Sequence, residues 1–237
     1  LNPADVAQRE GRYPAPPGSP PDVPGIEVSG TVIARGPTAN RFAIGDRVFG
    51  IVGGGGPADR VLVHERHVAH VPDVLDDLAA AAVHEVFVTA HDAGMAQAGR
   101  RPGELLVVNG ANGGVGTAAV QIASVSGARI IATVRSEALR GDVAELGATV
   151  IAPDDLVERA TVEGGADVIL ELVGSPNLDP DLRALAVKGR IVIVGTGGGT
   201  EAPLDLRKLM GRRARLMGTV LRARPLEEKA LAVQSFA

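Results

Sequence analysis

Residues 105 to 123 read LLVVNGANGGVGTAAVQIA, and this segment constrains the fold more than any other. A short apolar run, Glu104 to Asn109, leads into a glycine cluster, and an amphipathic helix is expected from Thr117 to Ser126. Read from Ala111, the loop is A-x-G-x-x-G, with Ala111, Gly113 and Gly116 in the fingerprint positions and Gly110 and Gly114 in addition. A second apolar run, Arg129 to Val134, lies beyond the helix. Strand, glycine loop, helix and strand in that order are what a dinucleotide-binding βαβ unit requires. Gly113 has no Cβ to block a pyrophosphate, and Gly116 lets the helix pack closely on the sheet. The amides of Gly114 and Val115, next to Asn112, open the helix toward a phosphate. The bland alternative is a bare glycine turn, and the ordered context argues against it.

The pattern continues. Helical stretches are expected at Val74 to Val83, Phe87 to Ala98, Glu137 to Leu146 and Leu182 to Val187. Strands are expected at Thr149 to Ala152, Asp167 to Leu172 (DVILEL) and Arg190 to Val194 (RIVIV), with a late edge strand in ARLMGTVL, 214 to 221. Apolar runs alternating with helices are strands buried on both faces, so the fold class is α/β with a parallel sheet.

Before residue 72 the chain reads differently. Residues 14 to 25 hold six prolines, which excludes a helix or a central strand there. Glu27 to Ala34 reads as a strand broken by Gly30, and Gly45 to Val52 as a turn feeding a strand. Glycines 53 to 56 suggest a flexible hairpin tip or a bulge, with Arg60 to His64 as the return strand.

An NAD site usually carries Asp or Glu at the end of the second strand, to bond the ribose 2′-hydroxyl. Here that end reads Thr133, Val134, Arg135, Ser136, and the first carboxylate, Glu137, belongs to the next helix. Arg135 and Ser136 offer a cation and a hydroxyl, which suit a 2′-phosphate and favour NADPH over NADH. A solvated surface arginine is the competing account. Two more glycine loops end strands on the same edge, Val173-Gly174 and Gly195 to Gly199. Gly195, Thr196 and Gly197 would let the backbone approach a nicotinamide, whereas Gly198 and Gly199 read equally well as an ordinary turn.

Composition excludes several classes. There is no cysteine, so disulfides, thiolate metal sites and cysteine nucleophiles are ruled out. Four phenylalanines, one tyrosine, no tryptophan and a net charge of −4 leave no stacking platform or basic face for nucleic acid. No apolar run approaches a bilayer-spanning length, so no membrane partner and a cytoplasmic location are expected. His64, His67 and His70 are spaced by three, which suits no zinc pattern, and they read as surface histidines.

The segments LNPADVAQREGRY (1 to 13), PGIEVSG (24 to 30), GDRVFG (45 to 50), NGANGGVG (109 to 116) and GTVLRARPLEEK (218 to 229) together resemble the medium-chain dehydrogenase/reductase superfamily. The resemblance runs along essentially the whole chain. Within the superfamily the chain resembles the zinc-free quinone oxidoreductases of the zeta-crystallin type. Zinc members carry Gly-His-Glu where this chain has Gly25, Ile26 and Glu27, and isoleucine cannot ligate a metal. The resemblance implies a partial, mostly β GroES-like substrate domain over 1–72 and a Rossmann NADP-binding domain over 73–224. Residues 225–237 would begin a helix returning to the substrate domain. Family members extend further at both ends, and the chain opens on Leu1, so a fragment is expected.

The resemblance also implies residue roles. Asn2 and Tyr13 would lie in the cleft beside the nicotinamide, with Tyr13 donating its phenol proton or bonding a substrate oxygen. A packing role for Tyr13 stands beside that one. Thr89, in VTA ahead of a helix, would line the nicotinamide pocket or else cap the helix. A second tyrosine of bacterial relatives is Ala7 here. The lysine that helps hold the 2′-phosphate falls at Ala138 or Leu139, where Arg135 or Arg140 would substitute. The implied activity is NADPH-dependent, zinc-independent hydride transfer to a quinone or another activated double bond. Its rivals are an enoyl-thioester reductase and a non-catalytic NADPH-binding structural or RNA-associated protein. A homodimer through the late edge strand is implied as well.

Overall fold

The alternation of buried strands and helices is realised as a six-stranded parallel sheet, and the proline- and glycine-rich part as a small antiparallel one. The computed structural model describes residues 1–237. In chain order the elements are α1 (Pro3–Arg9), β1 (Glu27–Thr31), β2 (Arg47–Ile51), β3 (Val68–His70), α2 (Asp77–Ala80), α3 (His84–His91), β4 (Leu105–Asn109) and α4 (Gly114–Val125). There follow β5 (Arg129–Thr133), α5 (Arg140–Glu145), β6 (Thr149–Ile151), α6 (Leu156–Val162) and β7 (Ala166–Glu171). The chain ends with α7 (Leu178–Ala184), β8 (Leu185–Ile193), α8 (Leu206–Arg212), β9 (Arg215–Gly218) and α9 (Leu226–Phe236). A π-helical turn, Asp92–Gln97, follows α3. No helix is long and apolar enough to cross a membrane.

Two compact units result, one formed by Leu1–Val88 with Val220–Ala237, the other by Thr89–Thr219. The division therefore falls inside α3, later than the change of sequence character at residue 72. The reason lies in packing: Leu75, Ala80 and Val83 join Phe49, Ala69 and Val71 in one apolar cluster, which binds residues 73–88 to the first unit.

In the first unit β1, β2 and β3 pair antiparallel in that order. The return strand is Val68–His70 and not Arg60 to His64. Burial decides this: Val68 and Ala69 are buried, whereas Arg60, Leu62 and His64 are exposed and make no ladder. Glycines 53 to 56 are not a hairpin tip either. They lie under the proline-rich segment, and a Cβ on Gly53 would collide with Ser19 Oγ and stand 2.9 Å from Pro16 Cγ. Ile51, Val88, Leu221, Ala232 and Val233 build a second core there, with Phe236 against it.

In the second unit all strand pairs are parallel, in the order β6-β5-β4-β7-β8-β9. Numbered within the unit this is 3-2-1-4-5-6, the doubly wound order whose switch point lies between β4 and β7. β4 is buried at every position. Leu105, Val107, Ile131, Ile169, Leu185 and Ile191 form the core with Leu156, Ala160 and Leu182 of the covering helices.

The helix expected at Leu182 to Val187 is replaced by α7, which ends at Ala184, and by the nine-residue β8. Leu185 pairs with Ala166, and a bulge between Ala166 and Val168 brings Lys188 to φ 69°. Ladder pairing thus overrides the helical propensity of LRALAV. Helices α6 and α8 lie in segments to which the sequence pattern assigns no element. Asp205 caps α8 by accepting from the amides of Arg207 (2.9 Å) and Lys208 (3.2 Å). β9 is shorter than the expected 214 to 221.

Candidate dinucleotide site

In the second unit the chain leaves β4 at Asn109, turns at Gly110 with φ 72°, and enters α4 with Gly113 as N-cap. Gly113 N donates to Gly110 O (3.2 Å), and Ala111 N to Thr133 O (3.1 Å). Thr117 N donates to Gly113 O (2.9 Å), which leaves Gly114, Val115 and Gly116 as the open amides of the helix start. The two fingerprint glycines do different work. A Cβ on Gly116 would stand 2.6–2.7 Å from the Ala111 backbone, so Gly116 is required by the protein's own packing. A Cβ on Gly113 would find nothing nearer than Gly110 O at 3.7 Å, and Asn112, Gly113 and Gly114 are exposed. Packing within the protein therefore does not require a glycine at Gly113.

At the tip of β5, Thr133 and Val134 are buried, while Arg135 and Ser136 are exposed. Arg140 opens α5, and its Nε donates to Val134 O (3.1 Å). Of the two arginines, Arg135 is exposed and Arg140 is partly buried. Gly195 is dictated by packing, since a Cβ there would lie 2.5 Å from Leu172 O, whereas Gly197 has open space and Thr196 is exposed. Thr89 sits inside α3, not ahead of a helix, so it is not a helix N-cap.

Three polar residues that the sequence reading did not single out lie beneath these loops. Asn109, Glu171 and Asp181 are buried, and Asn109 Nδ2 donates to Glu171 Oε2 and to Asp181 Oδ1, both at 2.7 Å. The available signal was a polar residue at or next to the end of two apolar runs, Asn109 in ELLVVN and Glu171 in DVILEL.

In the first unit Asn2 precedes α1. Its amide donates to Asp5 Oδ2 (2.8 Å) and its Nδ2 to Glu27 Oε1 (2.8 Å). Tyr13 is half-buried, and burial pushes its phenol above the ordinary value, with the Arg222 charge opposing and the Glu85 charge adding. The phenol is therefore a neutral donor at physiological pH. Arg222, from the segment before α9, is 3% exposed and organises this region. Its Nη1 donates to Tyr13 O (3.0 Å), its Nε to Gly53 O (2.9 Å), and its Nη2 to Gln8 Oε1.

What fold and loop define is a doubly wound dinucleotide-type sheet accompanied by a small antiparallel β unit. Residues 1–73 match the family model "Alcohol dehydrogenase GroES-like domain", and residues 114–236 match "Zinc-binding dehydrogenase". A quinone oxidoreductase from Homo sapiens is 33% identical over 235 residues, which cover 96% of this chain and 70% of that protein. The quinone oxidoreductase of Thermus thermophilus, solved also in complex with NADPH, is 34% identical with a TM-score of 0.83. That match covers all of this chain and 73% of the other. A mycobacterial protein complexed with NADPH superposes with a TM-score of 0.85 at 27% identity, covering 100% of this chain and 76% of that one. The chain belongs to the medium-chain dehydrogenase/reductase superfamily, and quinone oxidoreductases are among its relatives.

The residues present do not fit the zinc that one family description names. There is no cysteine, Ile26 is buried beside Glu27, and Glu27 accepts from Asn2 Nδ2 and from Glu85 N (3.1 Å). His64 Nδ1 accepts from Arg66 N, His67 Nε2 lies 3.1 Å from Leu226 O, and His70 packs on Phe42. No three His, Asp or Glu side chains converge on one point.

Proposed function

We propose that this chain is an NADPH-dependent, zinc-independent oxidoreductase that transfers hydride to a quinone or another electron-poor double bond. The observation that carries the reading is the cleared space at Gly113, at the switch point of the parallel sheet and at the head of α4. The α4 amides and Gly113 would hold the pyrophosphate, and Arg135 with Ser136 the 2′-phosphate. Arg140, Thr196 and Gly197 complete the proposed cofactor set, with Thr89 on the nicotinamide side. NADPH supplies the hydride when bound.

The chain's own contribution is binding, orientation and donors. An acceptor that is already electrophilic needs no metal, and two hydrogen-bond donors suffice at its developing oxyanion. Asn2 Nδ2 and the Tyr13 phenol are the proposed donors, and the neutral state of the phenol supports the second. We assign the unit containing residues 1–72 to the substrate and the parallel-sheet unit to the cofactor. A homodimer is proposed through β9, which pairs only with β8 and so presents a free sheet edge. A cytoplasmic location and the absence of a nucleic-acid partner complete the reading.

The test is steady-state NADPH oxidation with and without an ortho-quinone. Quinone-dependent oxidation is expected. Tight NADPH binding with no quinone-dependent turnover would sink the enzyme reading, and faster turnover on an enoyl thioester would reassign the substrate class.

A further inference from the structure

We propose that Asp181 and Glu171 are a buried acid pair holding a single proton on Asp181, and that Glu171 acts as the positioning residue for the dinucleotide loops. The inference rests on the dinucleotide reading above.

The two carboxyl groups are 0% and 2% exposed. Glu171 is saturated with donors: its Oε1 accepts from the amides of Val173 (2.5 Å) and Gly174 (2.6 Å), and its Oε2 from Asn109 Nδ2 (2.7 Å) and Asn177 Nδ2 (3.1 Å). Asp181 has one donor, Asn109 Nδ2 on Oδ1, and no N–H reaches its buried Oδ2. Asn109 is itself fully used, because its Oδ1 accepts from Thr133 Oγ1 (3.0 Å). Asp181 and Glu171 are within hydrogen-bonding reach of each other, and no lysine or arginine acts on Asp181. Two bare carboxylates side by side in a buried site would repel without compensation, so one takes a proton. Glu171 accepts from four N–H donors and Asp181 from one, so the proton has an open place on Asp181 Oδ2. Burial and the Glu171 charge accordingly push the Asp181 carboxyl well above the usual carboxylate range.

The pair matters because of what Glu171 grips. Its Oε1 fixes the first two amides of the loop leaving β7. Gly174, at φ 116°, bridges to Gly199 in the loop leaving β8, and Ser175 N donates to Gly199 O (3.0 Å). The Val173 side chain presses on Gly110, where a Cβ would meet Val173 Cγ2 at 3.0 Å. One carboxylate thus sets the mutual position of the three glycine loops at the carboxyl edge of the sheet. Asn109, the residue before Gly110, ties the same carboxylate to β4.

The test compares two neutral isosteres and reads the proton directly. Asn at 181 reproduces a protonated Asp, accepting from Asn109 and donating to Glu171. Asp181→Asn is expected to bind NADPH within about twofold of the wild type. Glu171→Gln sets an amide N–H₂ against the Asn109 and Asn177 donors. It is expected to weaken NADPH binding roughly tenfold, raising KM while kcat at saturating NADPH is retained. Infrared spectroscopy of the wild type at neutral pH should show a buried carboxylic-acid C=O stretch that Asp181→Asn removes. This last measurement stands even if Glu171→Gln does not fold. Absence of that band, equal losses of affinity in the two variants, or unchanged affinity in Glu171→Gln would each overturn the proposal. A wild type that shows the band but does not bind NADPH would refute the dinucleotide reading and leave the acid pair standing.

Discussion

The Arg222 guanidinium lies over the ring of Tyr13, 4.8 Å from its centroid, while its Nη1 donates to the Tyr13 carbonyl at 3.0 Å. The same side chain bonds Gly53 O and Gln8, so a planar five-donor fork is used along its whole length. Lysine cannot reproduce that geometry. Arg222→Lys is expected to cost about 3 kcal/mol by urea denaturation, because carbonyls at a 3% exposed site lose their donors.

Tyr13→Phe separates packing from proton donation. The ring and its contact with Arg222 survive, so stability should change by about 0.5 kcal/mol or less. If the phenol donates to the acceptor, kcat should fall by about 10²-fold with the KM for NADPH unchanged. Because burial holds the phenol above its ordinary value of 10.0, wild-type activity should show no alkaline loss from this group below that pH. Unchanged kcat in the variant would leave Tyr13 a packing residue.

The two fingerprint glycines should fail in different ways when replaced by alanine. Gly116→Ala drives a Cβ into the Ala111 backbone at 2.6–2.7 Å, and overpacking of that kind costs about 2 kcal/mol of stability. At Gly113 φ is −86° and the space is open, so Gly113→Ala should unfold within about 0.5 kcal/mol of the wild type. Its NADPH affinity should nevertheless drop roughly tenfold or more, since the methyl group occupies the ligand's place. Urea melts and an NADPH fluorescence titration on both variants check the contrast.

That contrast also marks what was legible in the sequence. The glycine loop could be read because strand, loop and helix are adjacent in the chain and each is set by local preference. The boundary between α7 and β8 could not, because it is fixed by Leu185 pairing with Ala166, nineteen positions earlier. Nor could β3 be told from Arg60 to His64 before the burial of Val68 and Ala69 was known. Asn2, Tyr13 and Arg222 show the same limit. Nothing in LRARP distinguishes the buried Arg222 from the partly exposed Arg224, since only the contacts with Gly53, Gln8 and Tyr13 do so. Asn109, Glu171 and Asp181 were visible as polar residues, but their meeting depends on the order in which the strands are laid down.

His84 gives the first unit an acid limit. It is fully buried, with ring centroids 4.5 Å from Phe49 and 6.0 Å from Phe236, and neither ring nitrogen has a hydrogen-bond partner. Burial pushes its imidazole down to about 4. The unfolded chain takes up this proton near pH 6.5 and the folded chain only near 4. The stability it confers is therefore complete above about pH 6.5 and is lost as pH falls toward 4, over a span of about 3 kcal/mol. Asp181, whose carboxyl is raised, contributes with the opposite slope above the unfolded value of 3.8, so the two must be separated by substitution. His84→Leu removes the proton site and keeps an apolar side chain. The loss of unfolding free energy between pH 7 and about 4.5 should be smaller in this variant by about 2 kcal/mol. An identical pH slope in both proteins would show that His84 titrates normally.

Cofactor choice turns on Arg135. The second strand ends in buried Thr133 and Val134, and the first carboxylate after them, Glu137, already lies in the next helical turn. No acidic side chain is thus placed to accept a ribose 2′-hydroxyl at the tip itself. Arg140 is partly committed, its Nε donating to Val134 O, whereas Arg135 is exposed beside Ser136. A guanidinium gains most from a dianionic phosphate and little from a hydroxyl. Arg135→Ala should raise the KM for NADPH roughly tenfold and leave that for NADH within about twofold, which steady-state kinetics with both cofactors will read. Arg135→Glu should go further and bring NADH level with NADPH, because a carboxylate repels the phosphate and accepts from the hydroxyl. Equal changes for the two cofactors in Arg135→Ala would make the residue a bystander and move the 2′-phosphate contact to Ser136 or Arg140.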